Sequence, residues 1–339
     1  MYALLLEAPS RLVYTEVPRP EPQEGEVLVA VRACGICGSD VHGLDGRSGR
    51  RRPPLIMGHE AAGTIERLGP GVTALKEGSR VTFDSTLWCG RCSFCRSGRI
   101  NLCENRRVLG VSTDRYKCNG AFAQYVVVPQ HVVYPLPEEL SFEEGALIEP
   151  LSVAFHAVHR MPVDLNDTAV VVGGGVIGLL ILKLLKLRGC RRVFVLEKEA
   201  SRRSIAERFG ASAAFPPGGM KPLLDRIGGG ADIVFEAVGK AETVQTALSC
   251  VRTGGRCVLV GNLDPSVPFP LQKVVTGELV LSGTCASSGE YPRCLDLAAQ
   301  RTVDLGELIS ARAPLSEGAL WFGKLLKGDP ELLKVVLIP

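Results

Sequence analysis

The sequence has little net charge, no long apolar run, and no basic region followed by an apolar stretch at its amino terminus. Its 39 Lys and Arg residues nearly balance its 36 Asp and Glu residues, giving a formal net charge of +3. This balance argues against nucleic acid or an anionic membrane as a partner. No segment approaches the roughly 20 apolar residues of a membrane-spanning helix. We therefore predict a soluble, cytoplasmic protein, and interpret Arg50, Arg51 and Arg52 as a solvated loop.

Internal repeats and low-complexity tracts are also absent, which argues against a repeat architecture. The 339 residues are about twice the length of a typical domain, so two domains are the expected arrangement. Apolar residues make up 46% of the chain, enough for each domain to bury a core.

The first 150 residues consist of short β-prone runs interrupted by Pro and Gly, which is typical of a β-rich domain. The predicted strands there are 27–31, 61–68, 121–128 and 132–134. From about Asn166, apolar strand candidates at 169–172, 193–196, 233–237 and 257–260 alternate with helical patterns. This alternation predicts an α/β fold with a doubly wound parallel sheet. We place the sheet domain at 151–285 and the β-rich domain at 1–150 and 286–339, where the alternation fades and the tail packs back.

The chain has twelve cysteines, and four of them form a dense cluster. Cys89, Cys92, Cys95 and Cys103 follow the spacing C-x2-C-x2-C-x7-C. Four thiolates can close one tetrahedral zinc site and leave no position open for chemistry. An iron–sulfur cluster also uses four thiolates, but the last gap does not match the usual ferredoxin spacings. The cluster therefore predicts a structural zinc site.

A second group of metal-ligand residues lies upstream. Cys37 and His59 are natural first ligands for a catalytic zinc, and Glu60 is a plausible third. Gly58 supplies the backbone freedom that would let His59 and Glu60 point the same way. Cys34 and Cys37 also form a C-x-x-C pair, but the surrounding β-rich sequence argues against a thioredoxin-like redox motif.

A glycine-rich turn follows the first strand of the predicted parallel sheet. Gly173, Gly175 and Gly178 form a G-x-G-x-x-G pattern before a long apolar helix, 176–187, where backbone amides can receive a pyrophosphate. Glu197, at the end of the next strand, can accept both ribose hydroxyls. A tight turn without a ligand is the alternative interpretation.

With these motifs in place, the sequence resembles the zinc-containing medium-chain alcohol and polyol dehydrogenases over nearly its whole length. The resemblance rests on the segments Cys37–His42 and Gly58–Gly63, the four-cysteine lobe, and the glycine-rich turn. The segment Ala146–Val153 is similar to the sorbitol and threonine dehydrogenase branch.

The resemblance implies a GroES-like catalytic domain, a Rossmann domain and two zinc ions per chain. It implies that Cys37, His59 and Glu60 bind the catalytic zinc, and that Glu149 binds it directly or holds its water. Cys34 is then not a ligand. It also implies a proton relay through Ser39 and His42, with Asp40 orienting a zinc ligand. The alternative is that Ser39 caps a helical turn and that His42 is a surface residue.

The cofactor is expected to be NAD, because Glu197 would repel the extra phosphate of NADP. Arg202 and Arg203 could compensate that phosphate, so NADP stays possible. The candidate cofactor-binding residues are Gly173, Gly175, Val176, Ile177, Gly178, Glu197, Arg202, Val238, Val260 and Gly261.

The expected reaction is oxidation of a secondary alcohol, a polyol, cyclitol or sugar derivative, to a ketone. The comparable sorbitol dehydrogenases carry an Arg-Tyr pair near Ala286 and Ser287, and its absence argues against sorbitol itself. A threonine dehydrogenase-like amino alcohol oxidation is the alternative activity, and a catalytically silent cofactor-binding relative is the alternative class. The resemblance further suggests a homo-oligomer, a tetramer or a dimer.

Overall fold

The structure is a computed structural model that describes all residues, 1–339. The chain forms two compact units, one of Met1–Glu149 with Ser287–Pro339 and one of Pro150–Ala286. No helix is both long and apolar enough to cross a membrane.

The amino-terminal part of the first unit contains short helices between many strands. Its strands are β1 (Tyr2–Ala8), β2 (Arg11–Glu16), β3 (Glu26–Gly35), β4 (Leu55–Ile56), β5 (Glu60–Leu68), β6 (Arg80–Phe83), β7 (Thr86–Leu87), β8 (Arg107–Val108), β9 (Val111–Ser112), β10 (Lys117–Cys118), β11 (Tyr125–Pro129) and β12 (Val133–Pro135). Its helices are α1 (Gly38–Gly43), α2 (Ser93–Arg96) and α3 (Phe142–Ala146), and α4 (Ile148–His159) follows.

The second unit alternates strands and helices. In chain order these are β13 (Thr168–Val172), α5 (Val176–Leu187), β14 (Arg192–Leu196), α6 (Ala200–Arg208), β15 (Ala213–Phe215), α7 (Met220–Ile227), β16 (Ala231–Glu236), α8 (Ala241–Cys250), β17 (Val251–Leu259), α9 (Leu271–Thr276) and β18 (Val280–Gly283). The chain then returns to the first unit with α10 (Tyr291–Ala299), β19 (Ile309–Pro314), α11 (Gly318–Leu326) and β20 (Lys334–Ile338).

A seven-stranded sheet forms the centre of the first unit, in the order β12-β6-β5-β3-β20-β19, with β11 also paired to β3. Strand β3 pairs along its length with β5, and its other edge is shared by β11 and then β20. Val27, Val29 and Val31 of β3 face a core that also takes in Leu4, Phe83 and other apolar side chains. The β-rich character of this unit follows from these alternating apolar positions.

The carboxyl-terminal tail is more regular than predicted. The expectation that the strand–helix alternation fades after residue 285 is wrong, because α10, β19, α11 and β20 continue it. Strands β19 and β20 are parallel, and β20 joins the central sheet by pairing with Cys34 and Gly35 of β3. The tail therefore contributes strands to the sheet that carries the candidate metal ligands.

One predicted strand is shorter than expected. Strand β11 begins at Tyr125, whereas the apolar run suggested a start at residue 121. Residues 121–124 instead connect two sheets. Ala123 forms an isolated bridge with Ala3, and Gln124 O accepts a hydrogen bond from Val31 N.

The second unit is a six-stranded parallel sheet in the order β15-β14-β13-β16-β17-β18. Every residue of β13 is buried, as expected for a central strand covered on both faces. The α/β prediction with a doubly wound sheet is confirmed, and α5 covers the predicted helix 176–187. The edge strands β15 and β18 were missed because they are short, with three and four residues.

Candidate active site

Cys37, His59 and Glu60 come together in the first unit. Cys37 directly precedes α1, and His59 directly precedes β5, which begins at Glu60. Their candidate ligand atoms all lie within 4.8 Å of one another. Strands β3 and β5 are paired, with Gly35 opposite Glu60, and this register brings the two segments to the same end of the sheet. Cys34, which the resemblance excluded, is buried in β3 and does not belong to this group.

Gly58 makes the turn that lets two adjacent residues point to one place. Its φ is +93°, in the left-handed region that favours glycine. A Cβ atom there would also lie 2.8 Å from the backbone nitrogen of Phe122 and 2.9 Å from Cys34 Sγ. Any other residue would strain the backbone and clash at once, so the expected role of Gly58 has a clear steric basis.

Asp40 faces the histidine of this group. Its Oδ2 atom lies 3.4 Å from His59 Nδ1, and neither atom has another hydrogen-bond partner although both are buried. With Nδ1 turned to Asp40, the Nε2 atom of His59 is the one left to bind a metal. Burial favours the neutral acid, but His59 and Arg51 outweigh it and lower the pKa of Asp40 to about 2.

Arg51 lies beside Asp40 and contradicts its predicted place in a solvated loop. Its side chain is 5% exposed, and its Nη2 atom lies 2.9 Å from Asp40 Oδ1. The same Nη2 donates to Ser39 Oγ at 3.2 Å. Flanking arginines Arg50 and Arg52 are exposed as predicted, and no pattern in the run of three marks which one turns inward.

Lys334 is a second charged residue that the sequence did not indicate. Its Nζ atom donates to Glu60 Oε2 at 2.6 Å and to the carbonyl oxygen of Ile36 at 3.1 Å. The partners are far apart in the chain, and meet because β20 inserts beside β3. The lysine engages one carboxylate oxygen of Glu60 and leaves the other available to a metal ion.

Glu149 lies outside the cluster of mutually close ligand atoms. It is the second residue of α4, and Ser85 Oγ donates to its Oε1 at 3.5 Å. Burial raises the pKa of Glu149 to about 7, with His59 opposing the rise and Glu60 adding to it. The preceding helix α3 is anchored by a reciprocal capping box between Ser141 and Glu144.

The two candidate relay residues lie on α1. The helix is capped at its amino terminus by Cys37, so Ser39 is not the N-cap residue. Ser39 Oγ instead donates to Cys37 Sγ at 3.3 Å while it accepts from Arg51. His42 is exposed in the last turn of the same helix.

The four-cysteine group is brought together in a separate lobe around α2. The Sγ atoms of Cys89, Cys92, Cys95 and Cys103 lie within 4.8 Å of one another. Backbone N–H groups of Arg91 and Cys92 lower the pKa of Cys89 to about 6. Burial raises the pKa of Cys95 to about 12, and Cys92 adds to this rise. A divalent cation relieves this conflict among neighbouring thiols, because it stabilises all four as thiolates.

The candidate cofactor residues gather at the carboxyl ends of the parallel strands. Gly173 follows β13, Gly175 caps α5, and Gly178 lies so close to Gly173 O that a Cβ atom there would come within 1.8 Å of it. Val238 follows β16 and neighbours Gly173, and Val260 and Gly261 follow β17. Val176 and Ile177 open α5, whose amino terminus is the part of the helix that favours an anion.

Two carboxylates order this edge of the sheet. Glu197 accepts from Gly174 N at 2.6 Å and from Glu199 N at 2.9 Å. Glu236, which the sequence did not suggest, is buried and accepts from Val238 N at 2.9 Å and from Gly239 N at 2.8 Å.

The two arginines after Glu197 differ in position. Arg203 donates from Nη1 to the backbone oxygens of Glu197 and Lys198, at 2.9 and 2.7 Å. Arg202 lies within α6 and is partly buried. Arg203 therefore donates to carbonyl oxygens that precede α6, and the guanidinium nitrogen that does so is not directed at an incoming phosphate.

Comparison with known proteins identifies the family of this chain. Residues 23–138 match the alcohol dehydrogenase GroES-like domain, and residues 176–300 match the zinc-binding dehydrogenase domain. D-xylulose reductase A of Aspergillus niger is 32% identical to this chain, over 96% of the chain and 94% of the relative. The chain belongs to the zinc-containing medium-chain alcohol and polyol dehydrogenase family.

Solved structures of the same architecture hold nicotinamide cofactors. A zinc-binding dehydrogenase of Sinorhizobium meliloti 1021 bound to NADP has a TM-score of 0.90 and 33% identity, covering 100% of this chain and 99% of its own. A short chain alcohol dehydrogenase of E. coli CFT073 complexed with NADH has a TM-score of 0.92 and 28% identity, with the same coverage.

Family membership makes this chain a zinc-type alcohol or polyol dehydrogenase that uses NAD or NADP. Its own residues fit both zinc ions. A sulfur, an imidazole nitrogen and a carboxylate suit an open zinc site with a fourth position for an oxygen ligand. Four thiols suit a closed structural site, as the C-x2-C-x2-C-x7-C spacing predicted.

Proposed function

We propose that this dehydrogenase oxidises a secondary alcohol of a polyol, cyclitol or related sugar derivative to the ketone, with NAD as the preferred cofactor. The observation that carries the proposal is the convergence of Cys37, His59 and Glu60, three ligand types that leave one tetrahedral position open. D-xylulose reductase A acts on a ketose, the kind of product that such a reaction yields.

We propose that the first unit holds the metal and binds the substrate oxygen, and that the second unit binds the nucleotide. A bound zinc ion would supply Lewis acidity that lowers the pKa of the substrate hydroxyl. Cys37, His59 and Glu60 would hold that ion, and Asp40 fixes the imidazole of His59 by facing its Nδ1 atom at 3.4 Å. Glu149, half-buried nearby, would hold a water or take part as a ligand.

Side chains of the protein remove the proton of the substrate hydroxyl. Ser39 receives the substrate proton and passes its own toward His42, whose exposed ring exchanges protons with solvent. For this, the Ser39 O–H bond turns about the Cβ–Oγ bond, away from Cys37 Sγ, to which it donates at 3.3 Å. A hydroxyl can accept and donate together, and this capacity suits it to the inner end of a relay.

Selection of NAD is assigned to Glu197. Its carboxylate is held by two backbone N–H groups at the end of β14, so it cannot easily move away from a 2′-phosphate. A free ribose can donate to this carboxylate from its hydroxyls, whereas a phosphate meets like charge.

A substrate panel tests the proposed reaction. Purified enzyme with two zinc ions per chain is assayed for NADH formation with open-chain polyols, inositols, sugar acids, 2,3-butanediol and threonine. The proposal expects the highest kcat/KM with a polyhydroxylated substrate. Threonine as the best substrate supports the amino-alcohol alternative. No turnover of any secondary alcohol by the fully loaded enzyme contradicts the proposal.

Two further properties belong to this proposal. None of the twelve cysteines forms a disulfide, and we propose a reducing compartment such as the cytoplasm. The expected homo-oligomer is tested by light scattering coupled to gel filtration, where a tetramer or dimer gives four or two times the 36.3 kDa of one chain.

A further inference from the structure

A single buried guanidinium connects the metal-binding histidine to the candidate relay hydroxyl. Arg51 lies between α1 and β4, and only 4% of the residue is exposed. Its backbone is held in place from both sides, since Ser112 N donates to Arg50 O at 3.1 Å and Arg52 N donates to Ser112 O at 3.3 Å. The side chain is therefore directed inward by a bridge to the β9 strand.

Each donor group of this guanidinium has an acceptor. Nε and Nη2 both donate to Asp40 Oδ1, at 3.1 and 2.9 Å. Nη2 also donates to Ser39 Oγ at 3.2 Å, and Nη1 donates to the carbonyl oxygen of Arg50 at 3.3 Å. Only a planar fork with several N–H groups can make these contacts at once, and a lysine ammonium lacks that shape.

The two side-chain acceptors, Asp40 and Ser39, each contact a different metal ligand. Asp40 presents its other oxygen to His59 Nδ1, at 3.4 Å. Ser39 donates to Cys37 Sγ at 3.3 Å. Arg51 thus reaches both the imidazole and the sulfur of the candidate metal site through one intermediate residue each.

Stability alone gives a weak reason for this arrangement. Removing an arginine and an aspartate from water is unfavourable, and replacing such a pair by apolar residues is often neutral or stabilising. The pair is more useful for orientation, because a carboxylate bonded on one oxygen presents the other in a defined direction.

We propose that Arg51 is a positioning residue that holds both Asp40 against His59 and Ser39 beside Cys37. It sets the orientation of the metal-binding imidazole and the rest position of the relay hydroxyl together. The contact from Arg51 to Ser39, here called the Ser39 arm, rests on the proposed function, since it concerns the relay. The contact from Arg51 to Asp40, the Asp40 arm, concerns metal retention and is independent of turnover.

Neighbouring Gly43 offers a way to disturb Arg51 without changing its chemistry. A Cβ atom at Gly43 would lie 2.5 Å from Arg51 Cγ and 3.4 Å from Arg51 Cβ. Gly43→Ala therefore displaces the stem of the arginine while the guanidinium stays in the protein. This variant complements direct replacement.

The test compares Arg51→Lys, Arg51→Met and Gly43→Ala with the wild type, and uses Arg52→Lys as the matched control. Arg52 is exposed and pairs with Asp114 on the surface. For each variant we measure zinc release to a chromophoric chelator, and kcat and KM with the best substrate of the panel. The closed four-cysteine site in the same chain is the internal reference for zinc release.

The two arms give different expected results. Arg51→Met leaves Asp40 without its cation, and we expect one of the two zinc ions to be released about 10–100-fold faster, with kcat reduced. Arg51→Lys keeps a positive charge near Asp40 but cannot also reach Ser39, so we expect near-normal zinc release with kcat about tenfold lower and KM unchanged. Gly43→Ala is expected to change both zinc release and kcat, and Arg52→Lys is expected to change neither.

Wild-type kcat in Arg51→Lys together with wild-type zinc release in Gly43→Ala overturns the proposal. If Arg51→Met does not fold, those two variants still decide the question. Loss of turnover in Ser39→Ala with no change in any Arg51 variant refutes this inference and leaves the proposed function standing. Absence of turnover in the wild type refutes the proposed function, while zinc release continues to test the Asp40 arm.

Discussion

Lys334 Nζ lies 2.6 Å from Glu60 Oε2, and the two side chains are only 4% and 2% exposed. A buried ion pair of this kind makes each partner dependent on the other. Removal of one charge leaves the second without compensation in a medium that solvates it poorly.

Lys334→Met should therefore lower the free energy of unfolding by about 3–5 kcal/mol, because Glu60 keeps its negative charge without a partner. Urea denaturation of protein from which the zinc held by Glu60 has been removed measures the loss, because no metal ion then compensates the carboxylate. Lys334→Arg is the control, since it keeps the charge and should recover most of the stability. Equal stability of Lys334→Met and the wild type contradicts the assigned role of the pair.

Two zinc ions per chain are expected, and the two sites should respond differently to substitution. Cys92→Ser should lower the melting temperature and the zinc content, because a structural site contributes folding free energy directly. Cys37→Ser should abolish turnover with a smaller effect on the melting temperature. Elemental analysis and calorimetry check both, and a zinc content of one or none in the wild type rules out the two-site assignment.

Glu197→Ala should narrow the preference for NAD over NADP. The substitution removes the charge that opposes a 2′-phosphate and the acceptor that receives the ribose hydroxyls. We expect kcat/KM with NAD to fall by about tenfold or more, since a hydrogen bond to a charged group contributes roughly 1.5–3 kcal/mol. Arg203→Ala is the comparison variant, because its guanidinium is bonded to backbone oxygens. Equal use of both cofactors by the wild type goes against the assignment.

Ser39→Ala should lower kcat by roughly ten- to ten-thousand-fold with the zinc content unchanged, a range that general acid–base catalysis typically spans. His42→Ala should lower kcat less than Ser39→Ala does, because water can replace an exposed imidazole. Added imidazole should restore part of the rate. Steady-state kinetics from pH 6 to 9 with parallel zinc analysis measures both. Full activity of Ser39→Ala over that range refutes the relay.

Asp84 should make stability depend on pH. Burial raises its pKa from the ordinary 3.8 to about 7, although Thr86 N donates to its carboxylate. The folded state therefore binds the proton more tightly than the unfolded state, and stability falls as the pH rises through this interval. Asp84→Asn imitates the protonated acid. The free energy of unfolding of Asp84→Asn should match that of the wild type near pH 4 and exceed it by roughly 2–4 kcal/mol at pH 8.

Thermal unfolding of the two proteins across pH 4 to 8 measures this difference. Ser287 Oγ lies 3.4 Å from Asp84 Oδ2, and an asparagine amide can keep this contact. A constant difference between the variants at every pH would show that Asp84 ionises normally.

Local sequence patterns determined much of this protein. The four-cysteine lobe and the glycine-rich turn are compact motifs, and the residues of each that act together lie within a short stretch of chain. Four of the six parallel strands could be predicted because each contains a continuous apolar run, and helix α5 because its ends are marked by glycine and by a change to charged residues. Gly58 also indicated a turn, because a glycine before His59 and Glu60 can adopt the positive φ that the turn requires.

The charged partners of the metal site were decided only by tertiary structure. Lys334 reaches Glu60 because β20 pairs with β3, and no local pattern reports a pairing between segments so far apart. Arg51 looks like its exposed neighbours Arg50 and Arg52 in the sequence. The Arg51 side chain turns inward because its backbone forms a bridge to Ser112 and because Asp40 accepts its hydrogen bonds. A buried charge needs a partner brought to it in space, so its place is a property of the assembled fold.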